Sequence, residues 1–247
     1  MQKIAVYTHF SALEPTARTL AEQLHLPFSA AAVYLLLLTP DYLGLQKTND
    51  SSLPLYVDFQ SGKMTYRRQH SSLRREALAR ALGLKKRTQP PTIIDATAGL
   101  ARDSFIIAAL GFEITLIERS PIIHALVQDG IQRASQNPKL VPIVQRMHLT
   151  QGNAISLLKN LAARPDIIYL DPMFPTRTKS ALPKKEMRIF HDIVGEDNDA
   201  ALLLNVALTC ATERVVVKRP RLAPELAGIK PHVTFSGSSS RFDVYLC

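Results

Sequence analysis

Thr92-Ile-Ile-Asp95-Ala-Thr-Ala-Gly99-Leu-Ala-Arg102-Asp103 is the stretch on which the fold turns. A short β-branched run leads into an acid, small residues follow, and a helical pattern starts at Arg102. A strand that ends in small residues and passes straight into a helix leaves backbone amides free, and lets a ligand approach the chain closely. The stretch is neither GxGxxG nor a phosphate loop with Gly-Lys-Ser. Alone it points to a nucleotide-like cofactor at Asp95 and Gly99, and leaves a plain strand–helix turn open.

Downstream of it the same alternation repeats. Strands are predicted at Thr92–Asp95, Phe112–Ile117, Met147–Thr150, Asp166–Leu170 and Arg214–Lys218, with a closing hairpin over His232–Phe235 and Arg241–Leu246. Helices are predicted over Arg102–Leu110, from Pro121, over Ala154–Ala162 and over Ala200–Thr209. Alternating strands and helices imply a mostly parallel sheet covered on both faces. In such sheets ligands bind beyond the carboxyl ends of the strands.

Upstream, Ile4–Tyr7, Val33–Leu38 and Leu53–Phe59 read as strands, the last with Leu55, Val57 and Phe59 alternating, and Pro15–Leu24 as a helix. Ser72–Leu84 carries apolar residues at helical spacing with arginines between them, which predicts an amphipathic helix with a basic outer face. The stretch from Gly83 to Pro90-Pro91 breaks the pattern. The expected organisation is a small N-terminal α/β domain over residues 1–87 and a Rossmann-like α/β domain over 88–247.

The charge is unevenly placed. Of the net +9, residues 61–90 hold nine basic side chains, among them Arg67, Arg68, Arg74 and Arg75, against Glu76 alone. Such a block neutralises phosphates, the sequence-independent part of nucleic-acid affinity, although a solvated helix face has the same composition. Cys210 and Cys247 have neither zinc-ligand nor CxxC spacing, and no metal is expected. No apolar run approaches the ~20 residues of a membrane span. Met1–Tyr7 lacks the apolar centre of a signal peptide, so a cytoplasmic protein is expected.

The remaining predicted strand ends carry the chemistry. Glu118-Arg119 follows the second strand, where an acid accepts hydrogen bonds from both ribose hydroxyls of a nicotinamide or S-adenosylmethionine cofactor. Gly152-Asn153-Ala154 follows the third, where Asn153 either meets an adenine edge or caps the next helix. The fourth ends in Asp171-Pro172-Met173-Phe174-Pro175. An exocyclic amine is a poor nucleophile because its lone pair is delocalised into the ring. Acceptors aimed at its N–H protons, here the Asp171 carboxylate and the Pro172 carbonyl, favour the localised pair that attacks a methyl group. Proline fixes that backbone angle, and Phe174 offers a ring for an extruded base to stack on. In the loop beyond, Lys179, Lys184 and Lys185 are placed to grip flanking phosphates.

Asp171-Pro-Met-Phe174 resembles the [Asp/Asn]-Pro-Pro-[Tyr/Phe] signature of amino-group methyltransferases. Together with Asp95–Asp103, Leu170–Pro175, Lys179–Leu182, Lys184–Arg188 and Arg214–Pro220, it is similar to the RsmJ family, over most of residues 55–245. Its members are small-subunit methyltransferases acting on the N2 amino group of one 16S rRNA guanine. The resemblance implies a class I S-adenosylmethionine methyltransferase fold, S-adenosyl-L-methionine as cofactor, and 16S rRNA or the small ribosomal subunit as partner; a monomer is expected. It places cofactor contacts at Arg102, Asp103, Glu118, Arg119, Asn153, Ala154 and Asp171. At residue 154 alanine stands where relatives carry serine, and at 101 alanine stands where glycine is often seen.

Other readings remain at this point. The same chemistry serves DNA adenine or a protein glutamine. A nicotinamide oxidoreductase shares the ribose acid but lacks GxGxxG and leaves Asp171–Phe174 unexplained. A ribosome assembly factor would use the fold without catalysis.

Overall fold

The computed structural model describes residues 2–247 apart from 51, 75, 86, 174–188, 190, 191, 196, 238 and 239. Seven strands form the main sheet in the order β6-β5-β4-β7-β8-β10-β9. They are β4 (Ile93–Asp95), β5 (Ile114–Glu118), β6 (Met147–Gln151), β7 (Ile167–Leu170), β8 (Arg214–Pro220), β9 (Val233–Ser236) and β10 (Ser240–Leu246). From β6 to β8 every pairing is parallel, and β10 runs antiparallel to both β8 and β9. All four residues of β7 are buried, as a central strand covered on both faces requires.

Alternation along the strands sorts the core onto two faces. Ile167, Tyr169 and Val216 join α4 (Arg102–Ala109) and α5 (Pro121–Ala134) on one side. Ile168, Leu170, Val215 and Val217 join α7 (Ala154–Lys159) and α8 (Ala200–Cys210) on the other. Helix α5 starts as its sequence predicts, with Pro121 in its first turn and the Ser120 hydroxyl accepting from the Ile123 amide at 3.4 Å. A short helix, α6 (Val141–Val144), leads into β6.

The N-terminal part has its own sheet, β1 (Gln2–Tyr7), β2 (Ala32–Leu38) and β3 (Leu43–Lys47), with α1 (Glu14–Gln23) as the parallel crossover. Two expectations are corrected here. Leu53–Phe59 is not a strand and makes only one isolated bridge, Leu45 to Leu55. Its alternation is real as burial: Leu55, Val57 and Phe59 are all in the core. The backbone between them turns instead to a helix, for the Val57 carbonyl accepts from Arg133 of α5, and the Phe59 ring stacks on Phe105 of α4 at 4.7 Å.

The second correction concerns the basic segment. The structure has α2 (Gly62–His70) and a short α3 (Ala77–Ala81) in place of one helix over Ser72–Leu84. The Ser61 side chain caps α2 by accepting from the Met64 amide. In α3 Leu78, Ala79 and Ala81 are all buried, and Arg80 lies over the Phe235 ring, so this helix has no broad solvated face. Among the described residues no helix is long and apolar enough to cross a membrane.

Candidate active site

A cleft with a cavity volume of about 90 Å³ opens at the carboxyl ends of β4, β5, β6 and β7. β4 pairs with β5 on one side and β7 on the other, so the chain changes direction across the sheet there, where ligands bind in open α/β folds. The turn after β4 needs two left-handed residues, Gly99 at φ 52° and Ala101 at φ 55°. The first suits glycine; at the second the Cβ of Ala101 costs the turn some strain.

Glu118 ends β5 with 5% of its surface exposed. Its Oε2 accepts from the Gly99 amide at 2.9 Å and its Oε1 from the Ser120 amide at 2.7 Å. Burial pushes the carboxyl up to about 7, against the pull of those amides. Asn153 and Ala154 border the cleft too, and the Asn153 side chain accepts from the Ser156 amide at 3.2 Å. Asn153 therefore caps α7, the plainer of its two readings.

Asp171 stands at the end of β7, its amide donating to the Thr97 hydroxyl at 2.6 Å. Its Oδ2 accepts from Nζ of Lys218, in the neighbouring β8, at 2.7 Å. Pro172 is buried directly after it, and the Met173 amide donates to Asp197. Arg119 is held by Asp197 and Asp199, which also line the cleft.

Two predicted cofactor residues are turned into the protein. Asp95 is 2% exposed and accepts from the Thr97 amide and the Ser104 hydroxyl; burial pushes it up to about 7. Asp103 accepts from Arg67 at 2.7 Å, Lys218 at 2.8 Å and the Tyr169 hydroxyl at 2.8 Å. Burial opposes its charge, but Lys218 and Arg67 outweigh burial and hold the carboxyl well below its usual range. Arg102 opens α4 on the exposed side.

Among the expected RNA contacts, Arg67 is spoken for by Asp103 and Glu76, Arg68 is half-buried and Arg74 exposed. Phe174, Arg75, Lys179, Lys184 and Lys185 lie outside the described residues. Sequence reasoning missed Thr97, Tyr169 and Lys218. A signal existed for the last, since a lysine directly after the apolar run Val215–Val217 stands at the level where Asp171 follows the apolar run of β7.

A family described as "Putative SAM-dependent methyltransferase" matches residues 19–247. A ribosomal RNA small subunit methyltransferase J from Marinobacter nauticus is 46% identical, covering 99% of this chain and 92% of the relative. The protein of the same name from Thioalkalivibrio sulfidiphilus is 49% identical over 95% and 94%. The chain belongs to the ribosomal RNA small subunit methyltransferase J family. A crystal structure of a SAM-dependent methyltransferase from Neisseria gonorrhoeae, 38% identical, superposes with a TM-score of 0.77 over 98% of this chain and 95% of that one. The fold is thus the Rossmann-like class I methyltransferase fold expected from the sequence.

The cleft fits the cofactor of this methyltransferase family, S-adenosylmethionine. A buried acid with both oxygens anchored by amides keeps its remaining lone pairs for a ribose diol. Ile117, Ala154 and Leu203 supply apolar lining for a flat base.

Proposed function

We propose that this chain methylates the exocyclic N2 amino group of a guanine in 16S rRNA of the small ribosomal subunit, using S-adenosylmethionine. The observation that carries the reading is the position of Asp171-Pro172, at the strand end next to the cleft that Glu118 borders. The names of the 46–49% identical relatives support rRNA of the small subunit as the substrate. The family resemblance carried by Asp171–Phe174 supports an amino group of guanine as the acceptor.

In this reading Glu118 holds the ribose, Gly99 provides the close backbone approach, and Asn153-Ala154 border the base. When bound, S-adenosylmethionine supplies an electrophilic methyl group, whose transfer forms the N–C bond as the S–C bond breaks and leaves a thioether and one proton. Asp171 and the Pro172 carbonyl accept from the amine's N–H groups and orient its lone pair, and Phe174 packs the base. Positioning of this kind, more than strong base catalysis, supplies the rate. Arg102, Asp103 and Arg119 support the site from behind or beside it. The loop cations Lys179, Lys184 and Lys185 hold flanking phosphates.

The RNA face is α2 with the turn after it. Tyr66 is 64% exposed and stacks against His70 at 3.9 Å, beside Arg68, with Arg74 and Arg75 following. An exposed ring among cations is a sequence-tolerant platform for an unpaired base. Residues 1–87 thus act as the RNA-contacting domain and 88–247 as the catalytic one, in a monomer working in the cytoplasm.

Tritiated cofactor offered with small subunits, naked 16S rRNA and duplex DNA tests the substrate, followed by mapping of the labelled nucleotide. Label on a guanine N2 of the small-subunit RNA is the expected result; label on DNA adenine or on a protein glutamine overturns it. Asp171→Ala is expected to abolish transfer while rRNA binding persists, and wild-type turnover in that variant sinks the proposed role.

A further inference from the structure

Lys218 joins the acid that faces the cleft to a second acid behind it. Its Nζ donates to Oδ2 of Asp171 at 2.7 Å and to Oδ2 of Asp103 at 2.8 Å. Val217 is in register with Leu170 on adjacent parallel strands, so Lys218 and Asp171 leave the sheet side by side. Asp103 is fixed in turn by Arg67 of α2 and by the Tyr169 hydroxyl of β7. A continuous line of contacts therefore runs from α2 through α4 and β8 to Asp171.

We propose that Lys218 is a positioning residue for methyl transfer, holding one oxygen of Asp171 so that the carboxylate stays ionised and its other oxygen is presented to the acceptor amine. The inference rests on the reading of Asp171 as the acceptor for that amine. An acceptor carboxylate is useful only while charged and held in one orientation. Here the surroundings work against its charge. Asp103, Asp197 and Asp95 all lie near it, and burial pushes the Asp171 carboxyl above its usual range with Lys218 opposing. Arg67 faces Asp103, and Arg119 faces Asp197 and Asp199, so each of those cations is already engaged with another acid. Among the described residues, Lys218 is the cation in contact with Asp171 itself. Its own charge is secure: burial opposes it, but Asp103 and Asp171 outweigh burial and hold the ammonium above the usual lysine range.

One consequence concerns the proton. One oxygen of Asp171 already accepts from the ammonium, so the carboxylate orients the amine through its other oxygen without taking its proton. As the new N–C bond forms and the S–C bond breaks, the surplus amine proton passes to water, and Asp171 is ionised before and after the step.

The test uses Lys218→Met and Lys218→Arg in the full chain. Carboxyl ¹³C resonances of the cofactor-free protein are titrated, with the Asp171 signal assigned through Asp171→Asn. Lys218→Met is expected to move the Asp171 titration up by about one pH unit or more. It should lower kcat about tenfold or more, with the Kd for S-adenosylhomocysteine and the KM for rRNA changed less than about threefold. Lys218→Arg should restore the wild-type titration and most of kcat. Should Lys218→Met fail to fold, Lys218→Gln removes the charge while keeping an N–H donor and carries the same titration. An unmoved Asp171 titration overturns the proposal, as does a kcat loss in Lys218→Met that Lys218→Arg does not relieve. Wild-type transfer by Asp171→Ala would instead overturn the underlying reading of Asp171.

Discussion

The amide of Gly99 donates to Oε2 of Glu118 at 2.9 Å, tying the turn after β4 to the end of β5. The cleft is thereby built around a carboxyl held by two amides, and whose ionisation belongs to the neutral range because it is buried.

Cofactor affinity is expected to rise with pH through about 7. Glu118 is protonated below its raised value of about 7 and there loses acceptor capacity toward the ribose; above it both oxygens accept. Calorimetry at about pH 6 and about pH 8 should show up to roughly tenfold tighter binding at the higher pH. Glu118→Gln should bind more weakly and lose most of that dependence. A wild-type Kd independent of pH would count against Glu118 as the ribose acceptor. Folding stability follows the opposite sign, since a carboxyl raised by burial favours the folded state below its ordinary value, and that contribution fades as pH climbs through about 7.

Tyr66→Ala should weaken rRNA binding by about 1–3 kcal/mol, the range for losing one base stacked on an aromatic ring. Replacing Arg68 and Arg74 with Glu should weaken it in a salt-dependent way. Filter binding at low and moderate salt measures both. Unchanged low-salt affinity in the charge-reversed protein would remove α2 and the turn after it from the RNA face.

Phe59→Ala should destabilise the protein by about 3–5 kcal/mol, the range for emptying a buried aromatic site. Phe59 and Phe105 are 2% and 0% exposed and stack at an interplanar angle of 9°. The pair welds the segment after β3 to α4, so the loss should appear as a lower denaturation midpoint. A change under about 1 kcal/mol would mean that the site collapses without a cavity.

Gly130→Ala in α5 sets two effects against each other. Helix propensity favours alanine by about 1 kcal/mol. The new Cβ, however, would stand 2.6 Å from Cγ1 of Val57 and 3.1 Å from its carbonyl oxygen. Overpacking of this kind costs about 1–3 kcal/mol, so a net loss of stability is expected. Adding Val57→Ala should recover part of it, and a thermal unfolding series of the single and double variants would read the coupling.

The two kinds of success and failure have one origin. Strand β7, the turn from Asp95 to Asp103, Glu118 and Asp171 were all legible because each is written in neighbouring residues: an apolar run, small residues, an acid at a strand end. Leu53–Phe59 shows where that reading stops. Period-two alternation predicted which side chains are buried, and they are, but whether a strand ladder or a helix receives them depends on what lies opposite. Ser72–Leu84 failed in the same way, since the burial of Leu78, Ala79 and Ala81 comes from neighbours the segment does not contain.

The sequence by itself determined the alternating α/β fold, the strand ends where chemistry is placed, and the excess of basic charge before residue 91. Only the tertiary structure decided what several of those residues do. Asp103 follows Arg102 directly, yet one helical step turns a side chain by about 100°, and that rotation sends Asp103 inward to Lys218 while Arg102 stays outside. Arg67 lies 36 positions before Asp103, and Lys218 lies 115 after it and 47 after Asp171. Ion pairs act over a few ångströms, whereas sequence periodicity reaches only the nearest turns of one element. The joining of Arg67, Asp103, Lys218 and Asp171 therefore exists only once α2, α4, β8 and β7 have packed.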